Sequence, residues 1–171
     1  MSAGDPKLTD PSVAFGILTQ EAAKFRAWAG PDADKVGNGE WQTDYEDWGY
    51  AHIAIEDALK AAPLPLWPPA VIDDLLYLLA HDNECEETVD LIAKHPEALL
   101  WIAEVACDRG EPDARWQIAD RLGNSRSELE RRTALLQRYM KDSDKYVRVR
   151  AQSAVDRLNG EDDNGPGRTE S

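Results

Sequence analysis

The chain has 171 residues, 42% of them hydrophobic, and a formal net charge of −14 from 33 acidic and 19 basic side chains. This length and composition suit one soluble domain with a sizeable core. The longest apolar stretch, near residues 75–80, falls far short of the ~20 residues that a membrane-spanning helix needs, so a membrane protein is excluded.

The two ends of the chain and its cysteines indicate a cytoplasmic protein. Residues 1–11 have no apolar core and do not resemble a secretory signal, so we expect a disordered leader. Cys85 and Cys107 are too few for a disulfide framework, and we expect both thiols to be buried within helices. Residues 160–171 are polar and rich in glycine, which predicts a disordered tail.

Every element that we predict is a helix, because apolar residues recur at spacings of three and four. The first helix begins near Pro11 and ends before Gly30, and a loop follows it. Over residues 40–61 the aromatic and apolar positions step by four and three along one face, which predicts a second amphipathic helix. Residues 12–62 therefore form an N-terminal helical pair.

A proline-rich connector at residues 63–69 follows this pair, because proline removes a backbone donor and clashes with the preceding turn of a helix. We expect it to be ordered and extended. The next segment, residues 70–159, contains further helices. They are separated by breaks or turns at His95-Pro96, Gly110-Glu111-Pro112, Gly123-Asn124 and Asp142-Ser143-Asp144.

A unit of helix, turn and helix occurs twice in this segment when the sequence is shifted by 33 residues. The shift places Ala114-Arg115 on Val147-Arg148 and Ile118 on Ala151. A third copy, around residues 82–93, keeps the length and the apolar face but lacks the arginine. Internal repetition of this kind is typical of stacked helical repeats.

Residues 142–158 contain the pattern Asp-x-Asp-x-x-Val-Arg and resemble the turn and second helix of a HEAT-type helical repeat. The resemblance covers about residues 70–158. It implies an all-α fold, a short right-handed α-solenoid or α-α superhelix of HEAT-like helix pairs, with residues 12–62 as an atypical N-terminal cap. It also implies that turn aspartates and helix-start arginines pair along the stack, in a structural ladder of Asp113, Arg115, Asp142, Asp144 and Arg148.

The charge is divided unevenly along the chain. Residues 1–108 contain 6 basic and 21 acidic side chains, a net charge of −15, whereas residues 109–160 contain 12 basic and 8 acidic ones, a net charge of +4. The acidic part would attract a basic partner and repel a phosphate backbone. Surplus carboxylates also have a simpler explanation, since they keep a cytoplasmic protein soluble.

The contact face of such a repeat consists of residues that are exposed between the core positions of the second helices. Those that we expect there are Glu86, Asp90, Trp116, Gln117, Asp120, Val149, Arg150 and Ser153. Trp116 is the least typical, because an exposed tryptophan is enriched at binding hot spots, although its indole can instead pack on the next helix. We predict partner binding at Trp116, Asp120, Arg150, Ser153, Glu86 and Asp90.

No motif in the sequence predicts catalysis or a cofactor. Nucleophile motifs, phosphate-binding glycine loops and zinc-protease motifs are absent. His81 and Cys85 could share a helical face around a metal, but a turn at Asn83 separates them and no second His/Cys pair supplies the missing ligands. We therefore predict no catalytic residue, no cofactor and no metal site.

The resemblance and the charge together predict a non-enzymatic protein–protein interaction module. A small acidic protein that blocks a basic toxin, as an immunity protein does, is one concrete form of it. Some DNA glycosylases are also built from HEAT-like repeats, and nine arginines between residues 115 and 157 could form their basic face around Trp116 and Asp120. The short chain and the acidic segment disfavour nucleic acid. A purely structural adaptor is the third alternative, and the oligomeric state stays open.

Overall fold

A computed structural model describes residues 10–30 and 44–163 of the chain. Within these ranges the protein is all-helical, with eight α-helices, one short 3-10 helix and no strand. The helices are α1 (Pro11–Ala29), α2 (Trp48–Ala61), α3 (Pro69–His81), α4 (Glu87–Ala93), α5 (Pro96–Arg109), α6 (Pro112–Asn124), α7 (Leu129–Tyr139) and α8 (Lys145–Asp163). The predicted all-α class is confirmed at this level.

Helix α1 has the predicted bounds, which are set by local chemistry. The Asp10 carboxylate accepts hydrogen bonds from the backbone N–H of Ser12 at 2.8 Å and from its hydroxyl at 2.5 Å. Pro11 occupies the first helical position, and Gly30 ends the helix with a φ of 75°, which glycine adopts without strain. Asp10 and Pro11 therefore belong to the helix start and not to a leader, while residues 1–9 lie outside the described ranges.

Helix α2 is shorter than predicted. It begins at Trp48, and residues 44–47 form a turn before it; the rest of the predicted helix start lies outside the described ranges. Tyr45 is nevertheless buried, because its ring packs edge-on against Phe25 at 5.0 Å between centroids. Tyr45 thus fits the helical spacing although it lies in a turn, because that turn packs on α1.

The proline-rich connector ends α2 as predicted, but it is not extended throughout. Leu64–Leu66 form a 3-10 turn in which Leu64 is buried. The indole of Trp67 donates a hydrogen bond to the carbonyl of Ala62 at 2.8 Å, which anchors the end of the connector to the end of α2. Helix α3 then begins at Pro69.

One predicted break and the predicted start of the tail lie inside helices. Gly123 lies within α6, where a Cβ would be only 2.9 Å from the Cβ of Ala154. Its role is close approach of α6 and α8, and not the end of a helix. Helix α8 continues beyond Gly160 to Asp163, so the tail begins later than predicted; residues 164–171 lie outside the described ranges.

Four helices form a row in which each contacts the next: α2 contacts α4, α4 contacts α6, and α6 contacts α8. We call these four helices the even-helix row. On the other side of the core, α1 contacts α3 and α5 contacts α7, and α3 also packs on α6. One buried apolar cluster extends from Ala14 in α1 to Leu158 in α8.

Two further predictions concern membranes and cysteines. Among the described helices, none combines the length and apolarity needed to span a membrane. Cys107 lies half-buried in α5, but Cys85 is exposed in the turn before α4, so the prediction that Cys85 is buried in a helix is wrong. The difference arises because α3 ends at His81, and Cys85 is the last of three consecutive turn residues, 83–85, between α3 and α4.

Candidate interaction surface on the even-helix row

Asp120 in α6 lies at the centre of three guanidinium groups. Its Oδ1 is 3.0 Å from Nη2 of Arg150 and 2.9 Å from Nη2 of Arg157, both in α8, and its Oδ2 is 3.0 Å from Nη1 of Arg121. Asp120 is only 7% exposed, so the prediction that it is an exposed contact residue is wrong. Its carboxylate is already engaged within the fold.

Arg121 extends this network from α6 to α4. Its Nε is 2.6 Å from Oδ1 of Asp90, and its Nη2 is 2.8 Å from Oε2 of Glu86. Burial lowers the pKa of the Arg121 guanidinium, but hydrogen bonds and charge from these two carboxylates more than offset burial, and the pKa is raised. Glu86 has a φ of 55°, a left-handed conformation that non-glycine residues seldom adopt, immediately before α4.

Trp116 is buried rather than exposed. It is 7% exposed, its Nε1 donates to Oδ1 of Asp113 at 3.1 Å, and its ring lies edge-on to Tyr146 at 5.3 Å. The guanidinium of Arg150 lies 5.3 Å from the centre of the indole. Helix α8 therefore covers Trp116, and the alternative that this indole packs on the next helix describes its contacts.

The remaining predicted face residues are divided between core and surface. Gln117 is fully buried, and its amide donates to the carbonyls of Leu79 and Asp113 at 2.9 Å each, so its predicted exposure is also wrong. Ser153 is half-buried and donates to the carbonyl of Val149, which is 49% exposed. Packing of α6 between α3 and α8 explains why its residues are covered.

The structure brings two of the predicted ladder residues together. Nε of Arg115 is 2.7 Å from Oδ2 of Asp142, and Nη2 of Arg115 is 2.9 Å from Oδ1 of Asp142. The contact joins the start of α6 to the turn between α7 and α8. Asn83 also donates to Oδ2 of Asp113 across neighbouring turns at 3.4 Å.

Asp144 and Arg148, two further ladder residues, act within their own turn. Asp144 caps α8, because its Oδ1 accepts from the backbone N–H groups of Tyr146 at 2.8 Å and Val147 at 3.1 Å. Arg148 donates to the backbone carbonyls of Asp142 at 2.7 Å and Ser143 at 2.9 Å. These four contacts stabilise the start of α8, and none of them pairs a carboxylate with an arginine along the stack.

Most arginines proposed for a phosphate-binding face are paired with carboxylates. Besides the pairs already described, Arg131 lies 3.3 Å from Glu97 and 3.2 Å from Glu104, and Arg138 lies 3.4 Å from Asp108. Arg132 is buried and donates to the carbonyl of Leu122 at 3.3 Å. The positive charge of this part of the chain is thus largely balanced within the fold.

The opposite end of the row contains a cavity of about 390 Å³ between α2 and α4. Its lining combines aromatic, aliphatic and acidic side chains: Tyr45, Trp48, Gly49, His52, Ile53, Glu56, Asp82, Cys85, Glu87 and Leu91. Within the described ranges, no three His, Cys, Asp or Glu side chains are grouped so that they could hold a metal ion.

His52 lies at the inner end of this cavity between two carboxylates. Its Nε2 is 3.0 Å from Oδ2 of Asp82, and its Nδ1 is 3.3 Å from Oε2 of Glu87. The ring stacks on Trp48 with centroids 5.4 Å apart and planes at 14°. Asp82 also accepts from the backbone N–H of Thr88 at 2.7 Å, so it joins α2 to the start of α4.

The acidic side chains at the mouth of the cavity are accessible. The Glu87 side chain is 59% exposed, and the Glu56 side chain is 42% exposed and 3.0 Å from Nζ of Lys60. A hydrogen bond from Lys60 lowers the pKa of Glu56. These carboxylates were not among the predicted contact residues, although Glu87 belongs to the acidic run of Glu84, Glu86 and Glu87 in the sequence.

The two ends of the even-helix row thus differ in what their charges do. At α4, α6 and α8 carboxylates and arginines neutralise each other, whereas at α2 and α4 carboxylates surround an open cavity.

No protein-family model, curated protein or solved structure matches this chain.

Proposed function

We propose that the chain is a non-enzymatic protein–protein interaction module that binds a basic partner through the acidic α2–α4 end of the even-helix row. The observation that carries the proposal is the difference in charge pairing along this row. Glu87 is largely exposed beside a cavity, whereas Asp120 is buried among three arginines. A basic partner would find the Glu87 carboxylate accessible at the first position, whereas the Asp120 carboxylate at the second is covered and already paired.

We also propose that the helices form a short α-solenoid of HEAT-like pairs. The consecutive contacts of α2, α4, α6 and α8 support this arrangement. So does a repeated local contact: Arg115 and Arg148, which are 33 residues apart, each donate to the backbone carbonyl five residues earlier, that of Gly110 and that of Ser143. The Arg115–Asp142 pair connects the two copies.

The nucleic-acid alternative has less support. A phosphate-binding face needs lysine and arginine side chains whose charge is available to the backbone. Arg115, Arg121 and Arg150 are each engaged by carboxylates, and Trp116 and Asp120, which a glycosylase would use, are buried. The paired arginines therefore favour protein as the partner class.

A basic toxin remains one concrete partner, in which case the chain would act as an immunity protein. This version rests on the small size and the acidic charge of the chain. A structural adaptor without electrostatic steering is the alternative, and the two differ in salt dependence. Steered association slows as ionic strength rises, whereas association without steering is nearly insensitive to it.

Affinity capture from the native host with matched charge variants tests the proposal. One variant, called the cavity variant, removes three negative charges from the α2–α4 end, through D57N in α2, E84Q in the turn before α4 and E87Q at the start of α4. The control removes three exposed negative charges at the other end, through E128Q, E130Q and D156N. We expect mass spectrometry to find a basic protein with the wild type and the control, and much less of it with the cavity variant. Equal capture by both variants, or retention of duplex DNA at physiological salt without a protein partner, would overturn the proposal.

A further inference from the structure

We infer that the α2–α4 cavity receives an arginine side chain of the basic partner. This inference rests on the proposed function and specifies the contact through which the partner binds. The cavity volume of about 390 Å³ is ample for one side chain, and it opens between two helices of the acidic part of the chain. Pockets of this kind hold the anchor residues that dominate binding at protein interfaces.

The charge around the cavity favours a cation. Three carboxylates line it, those of Glu56, Asp82 and Glu87. The groups that face them are the His52 ring between Asp82 and Glu87, and the ammonium group of Lys60 at Glu56, with Lys94 and His95 farther from Glu56. Of these three carboxylates, that of Glu87 is the most exposed, and the contact with His52 uses its Oε2. Its other oxygen is the acceptor that a guanidinium would use.

Tyr45 belongs to the wall of the cavity. Tyr45 lines the cavity and is only 6% exposed, yet its hydroxyl oxygen has no hydrogen-bond partner among the described residues. Burial, followed by the charges of Asp47 and Glu21, raises the pKa of this hydroxyl. The charge of Glu21 acts on this hydroxyl from α1, and the acceptor assigned to the guanidinium is therefore Glu87.

The shape of the wall favours arginine over lysine. Trp48 and Tyr45 provide aromatic surface, on which a planar guanidinium packs more favourably than a compact, strongly hydrated ammonium. A guanidinium also offers its N–H donors in a planar fork that matches a carboxylate such as that of Glu87. The same chemistry occurs within the chain, where Arg150 lies beside the Trp116 ring and also contacts Asp120.

NMR titration of the full chain with blocked pentapeptides tests the inference. The probes are acetyl-Gly-Ser-Arg-Ser-Gly-amide and the same peptide with lysine or with citrulline, the neutral isostere of arginine. We expect the arginine peptide to shift the amide resonances of Gly49, Ile53 and Leu91, with weaker effects from lysine and none from citrulline. The substitution E87Q should weaken binding about fivefold, near the upper limit for a partly exposed ion pair.

Two variants separate the cavity from general acidity. E84Q removes the same charge from the same turn but does not line the cavity, so it should weaken binding less than about twofold. G49L fills the mouth without changing the charge, because a Cβ at Gly49 has no neighbour within 4 Å, and it should abolish the shifts. Equal effects of E84Q and E87Q, or full binding by G49L, would overturn the inference and leave the proposed function intact. If the peptide binds as expected but the host partner ignores the charge variants, the proposed function fails instead.

Discussion

Arg115 and Asp142 form a bidentate ion pair that joins the start of α6 to the turn before α8. The two contacts measure 2.7 and 2.9 Å, and the side chains are only 13% and 9% exposed. Because both charges are largely removed from water, each is stabilised by the other and by hydrogen bonds to the backbone. The pair is therefore a link between two successive helical units of the fold.

The first prediction is that R115A lowers the free energy of unfolding by about 2–4 kcal/mol, because it leaves the largely buried Asp142 carboxylate without its partner. Urea unfolding followed by circular dichroism measures the loss. As a control, R126A removes an exposed arginine after α6 and should change stability by less than about 0.5 kcal/mol. Equal stability of R115A and R126A would show that the pair is not structural.

The second prediction concerns pH. Burial alone would raise the pKa of Asp142, but hydrogen bonds from Arg115 and from the backbone N–H of Asp144 more than offset it, and the pKa is lowered. The resulting stabilisation is fully present above the unfolded-state pKa, near pH 4, and is lost as the pH falls through the lower folded-state pKa. The difference in unfolding free energy between wild type and D142N should therefore be constant above about pH 5 and shrink below about pH 4. A difference that grows on acidification would contradict this assignment.

The third prediction concerns the close contact of α6 and α8. In G123A the new methyl group would lie 2.9 Å from the Cβ of Ala154, so the helices must separate. We expect a loss of about 1–3 kcal/mol, although alanine favours the helical state by about 1 kcal/mol relative to glycine. G16A is the matched control, since Gly16 in α1 has open space around it, and it should be neutral or stabilising. Thermal unfolding of the two variants gives opposite shifts if the contact is as close as described.

The fourth prediction separates a buried from an exposed carboxylate around the same guanidinium. D120N removes the charge that balances Arg121, Arg150 and Arg157, and it should cost about 2–4 kcal/mol. Asp90 also contacts Arg121, but its side chain is 54% exposed, and Glu86 still contacts Arg121 when Asp90 is replaced. D90N should therefore lower the free energy of unfolding by less than about 1 kcal/mol. Similar losses in chemical denaturation would mean that the network is not centred on Asp120.

Local rules in the sequence identify both ends of α1 but not the start of α2 or the end of α6. The ends of α1 depend on residues only a few positions away, namely Asp10, Pro11 and Gly30, so the sequence alone predicts them. Tyr45 continues the helical period without being helical, because Phe25 packs on it from another element. Gly123 has the residue type of a helix stop, but its contact is with Ala154, 31 positions later.

The candidate site shows the same limit. Trp116 and Asp120 have the spacing of an exposed helical face, and only the position of α8 reveals that Tyr146, Arg150 and Arg157 cover them. The ladder, which the family resemblance implies, includes one pair that the structure brings together, Arg115 with Asp142. His52 and Glu87 meet because α2 and α4 are neighbours, and helical periodicity within one segment contains no information on that contact.

The association rate of the basic partner, measured against ionic strength, tests the central claim most directly. Stopped-flow mixing of wild type with the partner recovered from the host should give a rate constant that falls at least about tenfold between 20 and 300 mM salt. The variant with D57N, E84Q and E87Q should show a lower rate at low salt and a shallower dependence, and the variant with E128Q, E130Q and D156N should behave like wild type. A rate that is independent of salt, and equal in all three proteins, would contradict the claim that the acidic α2–α4 end recruits the partner.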